Sequence, residues 1–153
     1  MPRHEEQKTL AYTPDELFSV VADVNDYPSF VPWCSGAHIR RENQQEIIAD
    51  LEIGFALFRE SFTSQVTLDR PRQVQVRAIE GPLEHLTNTW TFTLVDGGTH
   101  VDFVIDFQFK SHLLDHVAND MFHEAATRMM SAFESRVHLV HMMAQRHRQT
   151  PTS

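Results

Sequence analysis

The chain has 153 residues, a formal net charge of −8 with its ten histidines neutral, one cysteine and 41% hydrophobic residues. That length suits one domain with a single core, burying about two-thirds of the unfolded surface. The acidic balance argues against broad nucleic-acid binding, DNA included, because neutralised phosphates supply most of that affinity, and a lone cysteine excludes an intrachain disulfide or a cysteine-based zinc site.

Met1-Pro2-Arg3-His4-Glu5-Glu6 has neither a signal-peptide hydrophobic stretch nor the acid-poor character of a transit peptide, and no apolar run approaches the ~20 residues of a membrane span. A soluble, cytoplasmic protein is expected. Residues from about 3 to 12 read as a first strand. Thr13-Pro14-Asp15-Glu16 then reads as a helix start, with Thr13 as N-cap, Pro14 at the first helical position and Glu16 closing a capping box. Leu17, Val20, Val21 and Val24 follow at helical spacing, and Asn25-Asp26-Tyr27-Pro28 ends the helix.

The segment Tyr27-Pro28-Ser29-Phe30-Val31-Pro32-Trp33-Cys34 carries two prolines four residues apart. Each lacks an N–H and biases its predecessor toward extended geometry, so an irregular connector is expected. Tyr27, Phe30, Val31 and Trp33 on such a connector either plug the open edge of the core or border an apolar ligand site. Cys34, beside Pro32 and Trp33, is expected to be a buried, inert thiol.

From Ala37 to Lys110 the apolar period becomes two. Ile47, Ala49, Leu51 and Ile53 mark one strand, and Phe58, Phe62, Val66 and Leu68 a second. Val74, Val76 and Ala78 mark a third, and Leu86, Trp90, Phe92 and Leu94 a fourth. Asp96-Gly97-Gly98 is a hairpin turn signal leading into Val101, Phe103, Ile105, Phe107 and Phe109. Beyond Ser111 the period returns to 3.6: Leu113, Val117, Met121, Ala125, Met129, Phe133 and Val137 define a stripe, widened by Leu114, Ala118, Phe122 and Ala126. The predicted helix runs to about Gln145. One α+β domain over residues 1–148 follows, with 149–153 as a flexible tail.

Beyond the connector, further segments match one family in order and spacing. They are Leu51-Glu52-Ile53-Gly54-Phe55, Arg59-Glu60-Ser61-Phe62-Thr63-Ser64, Gly81-Pro82-Leu83, Val101-Asp102-Phe103, Phe107-Gln108-Phe109-Lys110-Ser111, Phe122-His123-Glu124 and Ala132-Phe133-Glu134. With Tyr27 to Cys34 they resemble the coenzyme Q-binding branch of the START-like, polyketide-cyclase-like proteins, over roughly residues 8 to 137. The resemblance implies a helix-grip fold, a curved antiparallel sheet wrapped around a long C-terminal helix. It also implies a deep apolar cavity for ubiquinone or a related isoprenoid lipid, and a role supporting respiration without catalysis. Bacterial relatives are described as ribosome-association toxins. Mitochondrial members carry targeting extensions that this sequence lacks, which suits a bacterial origin or a processed form.

Phe55, Phe58, Phe62, Trp90, Phe92, Phe103, Phe107 and Phe109 fall on the inward face of the predicted sheet, opposite Val117, Ala118, Met121, Ala125, Ala126 and Met129. A close-packed core and a ligand cavity both fit that pattern. Strand alternation places Glu60, Ser64 and Asn88 on the same face, where an unpaired carboxylate is expensive, so these three are expected to line a wet polar end near a quinone head group. The expected ligand-binding set is Phe30, Val31, Trp33, Phe55, Leu57, Phe58, Glu60, Phe62, Ser64, Asn88, Trp90, Phe103, Phe107, Val117, Met121 and Ala125.

No metal is assigned to His112 with His116 or to His138 with His141, since neither pair has an HExxH context or a convincing third ligand. GxSxG, P-loop and GxGxxG motifs are absent from the sequence. No catalytic residue and no cofactor are expected, and the partner is a hydrophobic small molecule. Two alternatives stand: a ribosome-binding module, and a cyclase recruiting Glu60 with Asn88 as acid or base. Arg146, His147 and Arg148 form a surface tail or a contact for anionic lipid or RNA. Phe55-Ala56-Leu57-Phe58, the Tyr27–Trp33 connector and Pro82-Leu83 are expected to form an entrance that transiently touches the inner membrane surface. Leu57→Asp should therefore weaken liposome binding in a flotation assay while leaving the melting temperature nearly unchanged; equal flotation of both proteins would remove the docking role.

Overall fold

Short connections dictate the topology. Six strands follow one another with only two or three residues between them, so each pairs antiparallel with its sequence neighbour. They are β2 (Cys34–Glu42), β3 (Glu46–Phe55), β4 (Phe58–Asp69), β5 (Gln73–Glu80), β6 (Leu83–Val95) and β7 (Gly98–Phe109). The N-terminal strand β1 (Arg3–Leu10) adds antiparallel to β7, giving the seven-stranded order β1-β7-β6-β5-β4-β3-β2. Between β1 on one edge and β2 on the other, the chain passes through α1 (Pro14–Ala22) and a 3-10 helix (Val24–Ser29). After β7 comes α2 (His112–Gln149), 38 residues long. The computed structural model describes residues 3–55 and 57–149, with side chains through residue 146.

The capping box forms as the sequence predicts: Thr13 Oγ1 accepts from Glu16 N–H at 3.1 Å, and Glu16 Oε1 accepts from Thr13 N–H at 3.1 Å. Leu17, Phe18, Val20 and Val21 are its buried face. α2 starts on Ser111, whose Oγ accepts from Leu114 N–H at 3.3 Å, and Asp115 Oδ1 accepts from Phe109 N–H at 3.0 Å, tying the strand end to the helix start.

Four expectations are corrected. β1 ends at Leu10, two residues early. The connector opens as a 3-10 helix that contains Pro28; its bonds from Asp26 N to Asp23 O and from Phe30 N to Tyr27 O bypass the missing proline N–H. α2 continues through Gln149, and residues 150–153 of the expected tail lie outside the described residues, as do the side chains of His147 and Arg148 and the whole of Ala56. The centre of the α2 stripe is Leu114, Ala118, Phe122, Ala126, Met130, Phe133 and Val137, while Leu113 is exposed and Val117, Met121, Ala125 and Met129 are half-buried. Adjacent rows on one helix are both apolar here, and periodicity cannot choose which of them faces the sheet.

α2 lies across the inward face of the sheet and is pinned most densely over its C-terminal half. Lys8 pairs with Glu134, Arg136 with Asp26 and His141 with Glu16, and Tyr12 OH shares a 2.7 Å hydrogen bond with His138 Nδ1. At the same end, the β6–β7 turn presses on the β1 terminus. Gly98 has φ +152°, and a Cβ there would meet Leu10 O at 2.0 Å, whereas Gly97, at φ +86°, has nothing within 4 Å. Gly98→Ala should therefore cost about 3 kcal/mol or more and Gly97→Ala about 1 kcal/mol, read as urea midpoints; similar midpoints for the two variants would contradict this packing.

Candidate ligand-binding cavity

The inward face of the sheet is solid in one half and hollow in the other. Trp90 and Phe103, cross-strand partners on β6 and β7, are 2% and 0% exposed and sit 4.5 Å apart, with Phe133 of α2 4.7 Å from Trp90. This aromatic plug fills the middle of the molecule. Beyond it, the next rungs Asn88–Ile105, Leu86–Phe107 and Leu83–Phe109 face Ala125 and Ala126 of α2, which present only methyl groups. The sheet curves, the helix has no bulk to fill the curve, and a cavity of about 120 Å³ remains. It opens into a cleft of about 880 Å³ when the solvent-open space is counted.

Tyr27, Val31, Pro32, Trp33 and Cys34 close one flank, with Leu51, Glu52 and Ile53 of β3, Phe62 of β4 and Val76 of β5; Phe122, Met129 and Phe133 complete the helix side. Half-buried Pro32, Trp33, Ile53, Leu86, Ala125 and Met129 mark the mouth. Trp33 holds a left-handed backbone, φ +69°, which is uncommon for a bulky residue. Its carbonyl accepts from Gly54 N–H at 2.8 Å, and its ring stacks on Phe55 at 4.9 Å. Behind the connector, Phe30 packs edge-on against Phe133 at 5.0 Å beneath the Arg136 guanidinium.

The wall carries no ion aimed inward. Glu52 is the only acid among the lining residues, and its carboxylate is engaged by Ser35 Oγ at 2.7 Å and by Arg59 at 3.4 Å. The Tyr27 hydroxyl donates to Val21 O, and burial pushes its pKa far up. Burial also pushes the Cys34 thiol up to about 11, against a weaker opposing pull from its hydrogen bond to Gly36 O. Asn88, 8% exposed, is the one amide in the wall: its Oδ1 accepts from Trp90 Nε1 at 3.1 Å and its Nδ2 donates to Val104 O at 3.0 Å.

Of the residues expected from sequence, the structure brings Val31, Trp33, Phe62, Asn88, Phe107 and Ala125 to this cavity. Trp90 and Phe103 form the buried rung next to it without lining it, Phe30 packs on Phe133, and Phe55 stacks on Trp33. Leu57, 99% exposed, and Phe58 lie on the β3–β4 hairpin beside a separate surface groove with Ser35, Gly54 and Arg59. Val117 and Met121 flank the α2 stripe without lining the cavity. The expected polar end is corrected: Ser64 is fully buried but spends its hydroxyl on Ala49 O at 2.9 Å, and Glu60, half-buried near the hairpin, does not reach the cavity. Glu60 and Asn88 are therefore not brought together as an acid–base pair. Tyr27 and Pro32 of the connector and Leu83 are expected at the entrance, and Phe109, Ala126 and Met129 on the inward faces; sequence reasoning does not single out Cys34, Leu51, Glu52, Ile53, Val76, Leu86, Ile105, Phe122 and Phe133 as liners. Their apolar alternation was readable, but which rungs stand empty is set by the helix crossing.

A curved seven-stranded antiparallel sheet gripping a long C-terminal helix around an apolar hollow defines the START-like helix-grip class. Residues 10–134 match the family described as polyketide cyclase / dehydrase and lipid transport, and the chain belongs to that family. It is similar to the ribosome association toxin RatA of Rickettsia prowazekii, at 38% identity over 84% of this chain and 91% of that protein. It is also similar to the mitochondrial coenzyme Q-binding protein COQ10 homolog B of Xenopus laevis, at 32% identity over 86% of this chain, which spans 56% of that longer protein. An 18 kDa protein of Caulobacter crescentus solved in solution is 38% identical, with a TM-score of 0.72 over 92% of this chain and 99% of that one.

Cys34 offers a direct probe of the cavity wall. At pH 8 its alkylation by iodoacetamide should be on the order of 100-fold slower in the folded protein than in urea, because the raised pKa leaves little thiolate. Equal rates would place the thiol in solvent.

Proposed function

We propose that this chain binds a neutral, hydrophobic isoprenoid quinone of the ubiquinone type, or a related lipid, and carries or presents it without catalysing a reaction, in support of respiration. The apolar cavity, whose one acidic lining residue Glu52 is engaged by Ser35 and Arg59, is the observation that carries this reading: such a wall takes up an uncharged apolar molecule and disfavours a charged one. The similarity to proteins named for coenzyme Q binding supports it. Catalysis has little footing in this wall, because proton transfer needs a titratable group within reach of the ligand, the cavity's thiol and phenol are held neutral by burial, and its one acid, Glu52, is tied to Ser35 and Arg59. No helix among the described residues is long and apolar enough to cross a membrane. In this reading lipid exchange takes place at the cytoplasmic face of the membrane, with the protein peripheral to it.

A second reading is favoured by the relative that matches along 91% of its length, the ribosome association toxin. The segment 135–149 contains Arg136, Arg146 and Arg148 with His138, His141 and His147 and no acidic residue, a basic stretch of this acidic chain suited to RNA. The net charge of −8 weighs against it.

Organic extraction of the purified protein followed by mass spectrometry separates the two. A co-purifying quinone is expected, and it should be lost from Ala125→Phe, whose ring would occupy the mouth. An empty extract together with salt-sensitive co-sedimentation with ribosomal subunits would replace the carrier reading with the interaction module.

A further inference from the structure

The cavity has a direction. Its covered end is the buried Asn88–Ile105 rung, beside the fully packed Trp90–Phe103 rung, and its open end is the half-buried mouth around Trp33, Leu86 and Met129. Asn88 is fixed there, because the Trp90 indole N–H can only donate and so must face the amide oxygen, at 3.1 Å. The other side of the amide gives one N–H to Val104 O at 3.0 Å. An asparagine amide has two N–H groups, so one donor is left over on a side chain more than nine-tenths buried. A leftover buried donor is costly until an acceptor reaches it.

Size decides what can reach it. A dry cavity of about 150 Å³ takes one benzene ring, and the hollow here is about 120 Å³. Clefts that enclose a drug-sized ligand measure roughly 300–1,000 Å³. The enclosed space here is on the scale of a single ring and too small to hold a polyisoprenoid chain as well, which is left to the solvent-open cleft.

Resting on the proposed reading of the cavity, we infer that the ligand enters ring first, with a ring carbonyl oxygen accepting the spare N–H of Asn88, and that its isoprenoid tail stays outside the mouth. Asn88 is thus the residue that selects a neutral ring bearing an acceptor, and the tail contributes little to affinity. The tail can remain in a bilayer while the ring is held, so the protein presents the ring instead of extracting the whole molecule.

The test is a titration of the full chain with benzoquinones of one ring type carrying zero, one, two or three isoprene units, and with a prenyl alcohol of matched length that has no quinone ring. Binding is read from quenching of Trp33 and Trp90 emission. Dissociation constants within about threefold of one another across the quinones, and no saturable binding of the alcohol, are expected. If the tail were enclosed, each buried isoprene unit would tighten binding by about several-hundred-fold. A steep gain with each unit would overturn the ring-first orientation and leave the quinone reading standing, whereas failure of every quinone to bind would overturn that reading itself. Asn88→Leu should weaken ring binding about tenfold or more. Because it strands the Trp90 N–H, the double variant Asn88→Leu/Trp90→Phe is measured alongside for folding and binding. Wild-type affinity in either folded variant would overturn the role of Asn88.

Discussion

The contact between Trp90, Phe103 and Phe133 governs the rest of the molecule. It joins the two longest strand partners to the middle of α2, and each buried ring contributes roughly 1.5–3 kcal/mol. Because these rings touch, the helix is seated at one depth above the sheet. On one side of the contact, Phe18 of α1 meets Phe92 and the space is filled. On the other side, alanines face a receding sheet, and no side chain of the sequence is placed to fill the gap. The hollow is the consequence of seating a straight rod on a curved surface at a single tight point.

Electrostatics follow the same division. The ion pairs that tie α2 to the other elements gather around the filled end, where α2 meets α1, β1 and the 3-10 helix. Glu16 shows how the pairs are integrated with local structure: burial pulls its carboxyl up, but the hydrogen bonds from His141 and from Thr13 outweigh burial and hold its pKa below the ordinary value. One carboxylate thus caps α1 and anchors α2. These exposed or half-exposed pairs add modest stability individually; their effect is to fix which end of the helix is tied and which lies over the cavity.

Two kinds of relative share this scaffold, and the chain carries features that speak to each. Its cavity wall is mostly apolar, which suits a lipid, while its C-terminal helical turns carry a basic surplus. The cavity draws on the middle of α2, from Phe122 to Phe133, and the basic surplus on the turns that follow, so the two need not compete. A scaffold tied at one end leaves that end free to evolve surface contacts without disturbing the hollow at the other, which is how one fold comes to serve dissimilar partners.

The linear chain itself determined the elements and their order. Period-two runs with short turns can only make a meander, the Thr13–Glu16 box can only start a helix, and a 38-residue apolar-faced helix must cover the sheet. Phe62, Asn88, Phe107 and Ala125 were legible as cavity residues because alternation and helical spacing fix facing, and Val31 and Trp33 because large apolar groups on a proline-broken connector must find cover. Position along the strand was not legible: whether Trp90 fills space while Asn88, two residues away, borders it depends on where α2 crosses, and that is set by contacts between residues more than forty positions apart. The fates of Ser64 and Glu60 were hidden for a similar reason. A side chain on the inward face can be satisfied by a neighbouring strand's carbonyl or lie at the hairpin end, and only the assembled register decides which.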